Sequence, residues 1–129
     1  MGYHLIDPAE LEQLDDRPAD VRSLSEAAGL TTRDDKLGLR IYEADPGEMV
    51  PLAYHYHDDQ VEAFYVLSGE LHVETPEQEY VVPANQALVV EPGSPHRAFN
   101  PDDAAGPVKV LAIGAPSVDD AHVYDPDDE

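Results

Sequence analysis

The sequence predicts an all-β protein, an antiparallel sandwich or barrel. Three observations carry this. Short segments rich in Val, Leu, Ile and aromatic residues follow one another from Leu37 onward. Turn-forming residues separate each segment from the next. At 129 residues with 42% hydrophobic content, the chain has the size of one domain and enough apolar mass for a core.

The segments are Leu37 to Glu43, Val61 to Leu67, Glu70 to Thr75, Glu79 to Val82, Ala87 to Glu91, His96 to Asn100 and Val108 to Ile113. Between them stand Asp45-Pro46-Gly47, Ser68-Gly69, Thr75-Pro76, Pro83-Ala84-Asn85, Pro92-Gly93 and Asn100-Pro101. Short strands at regular spacing with this punctuation indicate a sandwich or barrel. The stretch before Leu37 carries little β signal. Asp7 as N-cap with Pro8 behind it predicts a short helix running to Leu14. Ser23 with Glu26 three residues on forms a capping box, and Gly29 suits the helix end. From Asp119 the chain reads as a frayed acidic tail ending at Glu129.

Asp plus Glu total 28 against 7 Lys plus Arg, a formal net charge of −21. Nucleic acid and anionic membranes are bound through clustered Lys and Arg, so neither is an expected partner. The acids are spread along the chain, which reads as a solvated shell of the kind that suits high salt. The chain shows no membrane-length apolar run and no signal peptide, so a soluble cytoplasmic protein is expected. With no cysteine, thiolate metal sites, disulfides and cysteine nucleophiles are excluded.

The chemistry centres on His55-Tyr56-His57. On a strand, alternate side chains share a face, so His55 and His57 point the same way and can grip one ion. Glu62 follows five positions later, and His96 comes from another strand; one strand cannot surround an ion. Three imidazoles and a carboxylate suit a borderline transition metal. His55, His57 and Glu62 are expected around one short hairpin. His4, His72 and His122 are expected to be surface imidazoles. Asp58 and Asp59 read as the polar tip of the loop between ligand strands.

The run Gly47…His55-Tyr56-His57-x4-Glu62-x6-Gly69 resembles the first conserved motif of the cupin family. Asn85-x5-Glu91-Pro92-Gly93-x2-His96-x3-Asn100 is similar to the second, with a hairpin between them. The sequence departs from the pattern at three positions. Gly47 stands two residues further from His55 than usual, Asn85 replaces a glycine, and Glu91 replaces a proline. Asn is the best substitute where φ must be positive. The resemblance implies a jelly-roll β-barrel, placed over 37–116; the residues on either side read as an N-terminal extension over 1–36 packed on it and an acidic tail over 117–129. It implies one divalent transition metal per chain (iron, manganese, zinc or nickel) held by His55, His57, Glu62 and His96. Four protein ligands on a six-coordinate metal leave two positions for a small molecule.

Strand parity then outlines a pocket. With Glu62 inward, Phe64 and Val66 are inward too; with His96, so are Ala98 and Asn100. Gln60 shares the parity of Glu62, and Arg40 is the base on an earlier strand that can line the cavity, with a surface ion pair as its favoured role. Tyr65, Leu67 and Arg97 then face outward, and an outward apolar strand face implies a homodimer. A metal-dependent, dioxygenase-like enzyme on a small molecule is the first functional reading. A non-catalytic binding or sensor module, or a metal-dependent isomerase, is the alternative.

Overall fold

Two five-stranded antiparallel sheets face each other, with strand orders β1-β2-β9-β4-β7 and β10-β3-β8-β5-β6. In chain order the strands are β1 (Asp20–Ser23), β2 (Gly38–Ala44), β3 (Met49–His57), β4 (Val61–Ser68), β5 (Glu70–Glu74), β6 (Glu79–Pro83), β7 (Ala87–Val90), β8 (His96–Phe99), β9 (Val108–Ala115) and β10 (Ala121–Val123). This computed structural model describes residues 3–14, 19–29, 36–116 and 120–125. From β2 onward the chain changes sheet at nearly every connection; β5 and β6 form the hairpin that stays within one. That is the jelly-roll arrangement, and it closes a barrel from strands distant in sequence.

The alternation seen in the sequence decides which side chains enter the barrel. On β4, Phe64 and Val66 are fully buried while Tyr65 and Leu67 are exposed. On β9, Val108 and Val110 are fully buried, and on β5 so are Leu71 and Val73. The core is therefore the space between the sheets, filled mainly by β-branched side chains that suit a pleated surface. Asn100, 2% exposed, donates from Nδ2 to the carbonyls of Ala44 and Gly106 at 3.0 and 2.9 Å. It ties the end of β2 to the loop before β9.

Turn chemistry matches the sequence where the chain changes sheet. Asn85 has φ +68, the left-handed conformation its place in the second motif requires. Gly69, between β4 and β5, has φ +79, and a Cβ there would lie 2.6 Å from the Pro107 carbonyl oxygen. Only glycine fits.

Three expectations change. The predicted hairpin around the ligands does not exist, because β3 and β4 belong to opposite sheets and the chain crosses between them through residues 58–60. The N-terminal stretch is more than an outer packing piece: β1 joins a sheet edge and buries Val21 completely. It keeps the two caps read from the sequence. Ser23 Oγ accepts from the Glu26 N–H at the start of α1 (Leu24–Ala27), and Asp7 caps a short 3-10 helix, Pro8–Glu10, in place of a helix to Leu14. The third concerns the tail, where Ala121–Val123 is no frayed end but pairs with β3. Residues 117–119 and 126–129 of the expected tail lie outside the described residues.

Candidate metal centre

Each of the four predicted ligands reaches the centre from a different strand or strand position. His55 and His57 lie at the end of β3, and His96 opens β8 as the direct cross-strand partner of His55. The Gly93 N–H donates to the His57 carbonyl at 2.7 Å, pinning the turn before β8 to the ligand strand. Glu62 sits near the start of β4 and faces the histidines from the opposite sheet. Sheet crossing therefore encloses the point where they meet from both sides.

His55, Glu62 and His96 are 3%, 7% and 1% exposed. Their ligand-type atoms, with that of His57, all lie within 4.8 Å of one another. Glu62 Oε1 stands 3.5 Å from His55 Nε2, 3.4 Å from His96 Nε2, and in direct contact with His57 Nε2. Ligands about 2.1 Å from one ion stand roughly 3.0 to 4.2 Å apart, depending on the angle between them. Two of the three nitrogen–carboxylate distances fall in that range. The imidazoles splay about this point, with His55 and His57 at 86° and His55 and His96 at 53°.

The far nitrogens fix the tautomers. His55 Nδ1 lies 2.7 Å from the Ala53 carbonyl, His96 Nδ1 3.0 Å from the Ser94 carbonyl, and His57 Nδ1 2.8 Å from Asp120 Oδ1. Carbonyl and carboxylate oxygens only accept, so each Nδ1 carries the proton and each neutral ring turns an Nε2 lone pair inward. His55 Nε2, His57 Nε2, His96 Nε2 and Glu62 Oε1 are buried without a hydrogen-bond partner. Three lone pairs and a carboxylate converge with nothing between them to donate. Such a set is unfavourable alone and suits a cation. Three nitrogens and one oxygen, with no thiolate, fit a borderline divalent metal.

Burial works against ionisation of Glu62, but the three imidazoles, which donate hydrogen bonds to it when no cation takes up their lone pairs, override it and hold the carboxyl far below the usual carboxylate range. For His57, burial disfavours the imidazolium, yet Glu62 and Asp120 together raise its pKa above the ordinary value. Asp120 is likewise disfavoured by burial but lowered overall by the N–H groups of Asp59 and Gln60 and by His57.

Of the predicted pocket residues, Phe64, Val66 and Ala98 are fully buried, and the Phe64 ring meets His96 edge-on at 5.9 Å. Phe64 packs against the cluster, and Val66 and Ala98 belong to the apolar core. Arg40 shares the β2 face of buried Tyr42 and Ala44, and it makes no ion pair among the described residues. Gln60 is tied down: its N–H donates to Asp120 Oδ2, and its Nε2 donates to the Pro116 carbonyl. Its amide lies over Gly114, where a Cβ would come within 2.7 Å. Gly114 is the cross-strand neighbour of Glu62, so this glycine leaves room for Gln60 beside the ligand row. His122, expected to be free in solvent, is half-exposed but bonded to Asp58 and stacked on Tyr56. His72 pairs with Glu79, and His4 is exposed.

Sequence reasoning missed Asp120 and Gly114. Nothing in the spacing singles out one carboxylate among 28 acidic residues, and a glycine inside a strand signals close approach without saying of what.

Solved structures resemble the chain along most of its length. The polyketide cyclase RemF from Streptomyces resistomycificus aligns with TM-score 0.76 at 16% identity, covering 96% of this chain and 87% of its own. A Streptomyces protein, PAC13, in complex with uridine aligns with TM-score 0.72 at 14% identity, covering 96% and 92%. A sugar phosphate isomerase from Silicibacter pomeroyi aligns with TM-score 0.66 at 24% identity, covering 78% of this chain and 60% of its own. At these identities the likeness is one of fold. No curated protein sequence matches the chain. The Cupin domain model matches residues 40–114, more than half the chain and including all four converging side chains. The chain belongs to the cupin family.

Proposed function

We propose that this protein is a metal-dependent enzyme that binds one divalent transition metal through His55, His57, Glu62 and His96 and acts on a small oxygen-bearing molecule. One observation carries this reading: four buried ligand-type atoms converge without a hydrogen-bond partner, each ring locked in the tautomer that offers its lone pair. A metal bound there would supply Lewis-acid chelation of substrate oxygens and, in the case of iron, the electrons that dioxygen chemistry needs. The chain's own residues hold and orient. Glu62 provides the compensating negative charge, and Phe64, Val66 and Ala98 keep the floor apolar and exclude water.

Oxygen chemistry is favoured over proton transfer by where the tyrosines next to the ligands point. Tyr54 packs its ring 4.9 Å from Tyr124, and Tyr56 stacks on His122, both on the face of β3 opposite His55 and His57. An isomerase needs a general acid or base beside the metal, and these two are turned away from it. Few cations are available to hold a phosphate, with 7 Lys plus Arg in the chain.

Metal analysis of the freshly purified protein tests the site, with the His55→Ala, His96→Ala double mutant beside it. About one metal per chain is expected in the wild type and none in the mutant; a mutant that keeps its metal overturns the assignment. Oxygen uptake is then measured with catechols, thiols and diketones. A flat response from iron-loaded protein across the whole panel would sink the oxygenase reading and leave an isomerase or a non-catalytic sensor on the same cluster.

A further inference from the structure

We propose that Asp120 is a positioning residue of the metal centre, and that through it metal binding and docking of the C-terminal strand are one coupled event. The inference rests on the metal-binding reading above and goes beyond it. Two of the three imidazoles are oriented locally: His55 and His96 each hold a carbonyl two residues back on their own strand or turn. His57 is different. Its Nδ1 partner lies 63 residues away, on the segment entering β10.

The Asp120 carboxylate is fixed on both oxygens. Oδ1 accepts from His57 at 2.8 Å, and Oδ2 accepts from the backbone N–H groups of Asp59 and Gln60 at 2.7 and 3.1 Å. It therefore braces the crossover between β3 and β4, the connection with His57 on one side and Glu62 on the other. The strand that follows is held against the same ligand strand, with Ala121 opposite His57 and Val123 opposite His55. Outer contacts secure it further. His122 Nε2 lies 2.6 Å from Asp58 Oδ2, and the Tyr124 N–H donates to the Tyr54 carbonyl at 3.0 Å.

A carboxylate on the far nitrogen of a ligating histidine fixes the ring's tautomer and orientation and raises its basicity, and loss of such a partner costs about 10–100-fold in metal affinity. Binding couplings are reciprocal, so whatever docking adds to metal affinity, metal adds to docking. A carboxylate serving only to tie down the loop would affect stability and leave metal affinity alone.

The protein, stripped with a chelator, is titrated with Co(II) and followed by its visible absorption, as wild type, Asp120→Ala and Asp120→Asn. Affinity is expected to fall about 10–100-fold in Asp120→Ala, with an altered Co(II) spectrum. Asp120→Asn, which keeps an acceptor oxygen of the same reach, is expected to recover part of the loss. Asn also keeps the test open if the alanine variant fails to fold. Amide hydrogen exchange across residues 121–124 is the second readout: Co(II) slows it in the wild type and has no such effect in Asp120→Ala. Wild-type affinity and spectrum in both variants, or exchange at 121–124 indifferent to Co(II), overturns the coupling while leaving the metal site intact. A wild type that binds no Co(II) overturns the metal reading itself, and the coupling with it.

Discussion

Glu62 sets the charge of the centre. Burial alone would keep its carboxyl protonated, and three facing imidazoles reverse that. A bound divalent ion would neutralise that charge directly, so binding should stabilise the fold. At a free metal concentration 100 times Kd the gain is about 2.7 kcal/mol. For a domain of this size that is a rise in Tm on the order of 10 °C. Adding Co(II) or Zn(II) to chelator-treated wild type should give such a rise, and Glu62→Gln, which keeps the shape but removes the charge, should lose most of it. Differential scanning calorimetry with and without metal checks this; an equal rise in the variant would remove Glu62 from the ligand set. The four converging side chains were legible because few residue types make good ligands and their spacing is distinctive. Asp120 was not, since a carboxylate in an acidic chain carries no signal until folding brings its segment against His57.

Period-two alternation gave the inward side chains of β4 and β8 at Phe64, Val66, Ala98 and, just past the end of β8, Asn100. It could not give the sheet to which a strand belongs. Short connections suggest hairpins, and residues 58–60 instead carry the chain from one sheet to the other, which is how Glu62 comes to face the histidines. β1 and β10 escaped notice because four-residue and three-residue edge strands are too short to show a period. Two predictions belong at this scale. Phe64→Ala removes the largest fully buried side chain from β4 and the ring that meets His96, and should cost about 3–5 kcal/mol in urea unfolding. Asn100→Ala leaves the Ala44 and Gly106 carbonyls without their donor, and should cost about 1–3 kcal/mol for the groups left unpaired. A loss below about 0.5 kcal/mol in either would mean that the surroundings relax or that water replaces the missing group.

Charge and apolar surface act on the molecule as a whole, in opposite senses. The outer face of the β2-β9-β4-β7 sheet aligns Leu39, Ile113, Ala63 and Val89 in one row and Ile41, Leu111, Tyr65 and Ala87 in the next. Val89 is 62% exposed and Tyr65 37%. A homodimer through this face is expected, and Ile113→Lys should give a monomer by light scattering where the wild type gives a dimer; a monomeric wild type at high salt would refute it. The acidic shell opposes both association and compaction. With a net charge of −21 on 129 residues, like charges crowd the surface of the folded state more closely than they do the expanded unfolded chain. Screening acts over about 10 Å at 0.1 M salt and about 3 Å at 1 M, so added salt should relieve most of this repulsion. Relief of even a few kcal/mol corresponds to a rise in Tm on the order of 10 °C for a domain of this size. The measurement is the melting temperature of metal-free protein from about 0.1 M to about 3 M NaCl, with chelator throughout so that divalent cations do not contribute. A steep rise is expected, larger than any change in the same range for a variant with acidic surface residues exchanged for Lys. A flat wild-type profile would mean that the acids are already spaced widely enough in the fold for water alone to screen them.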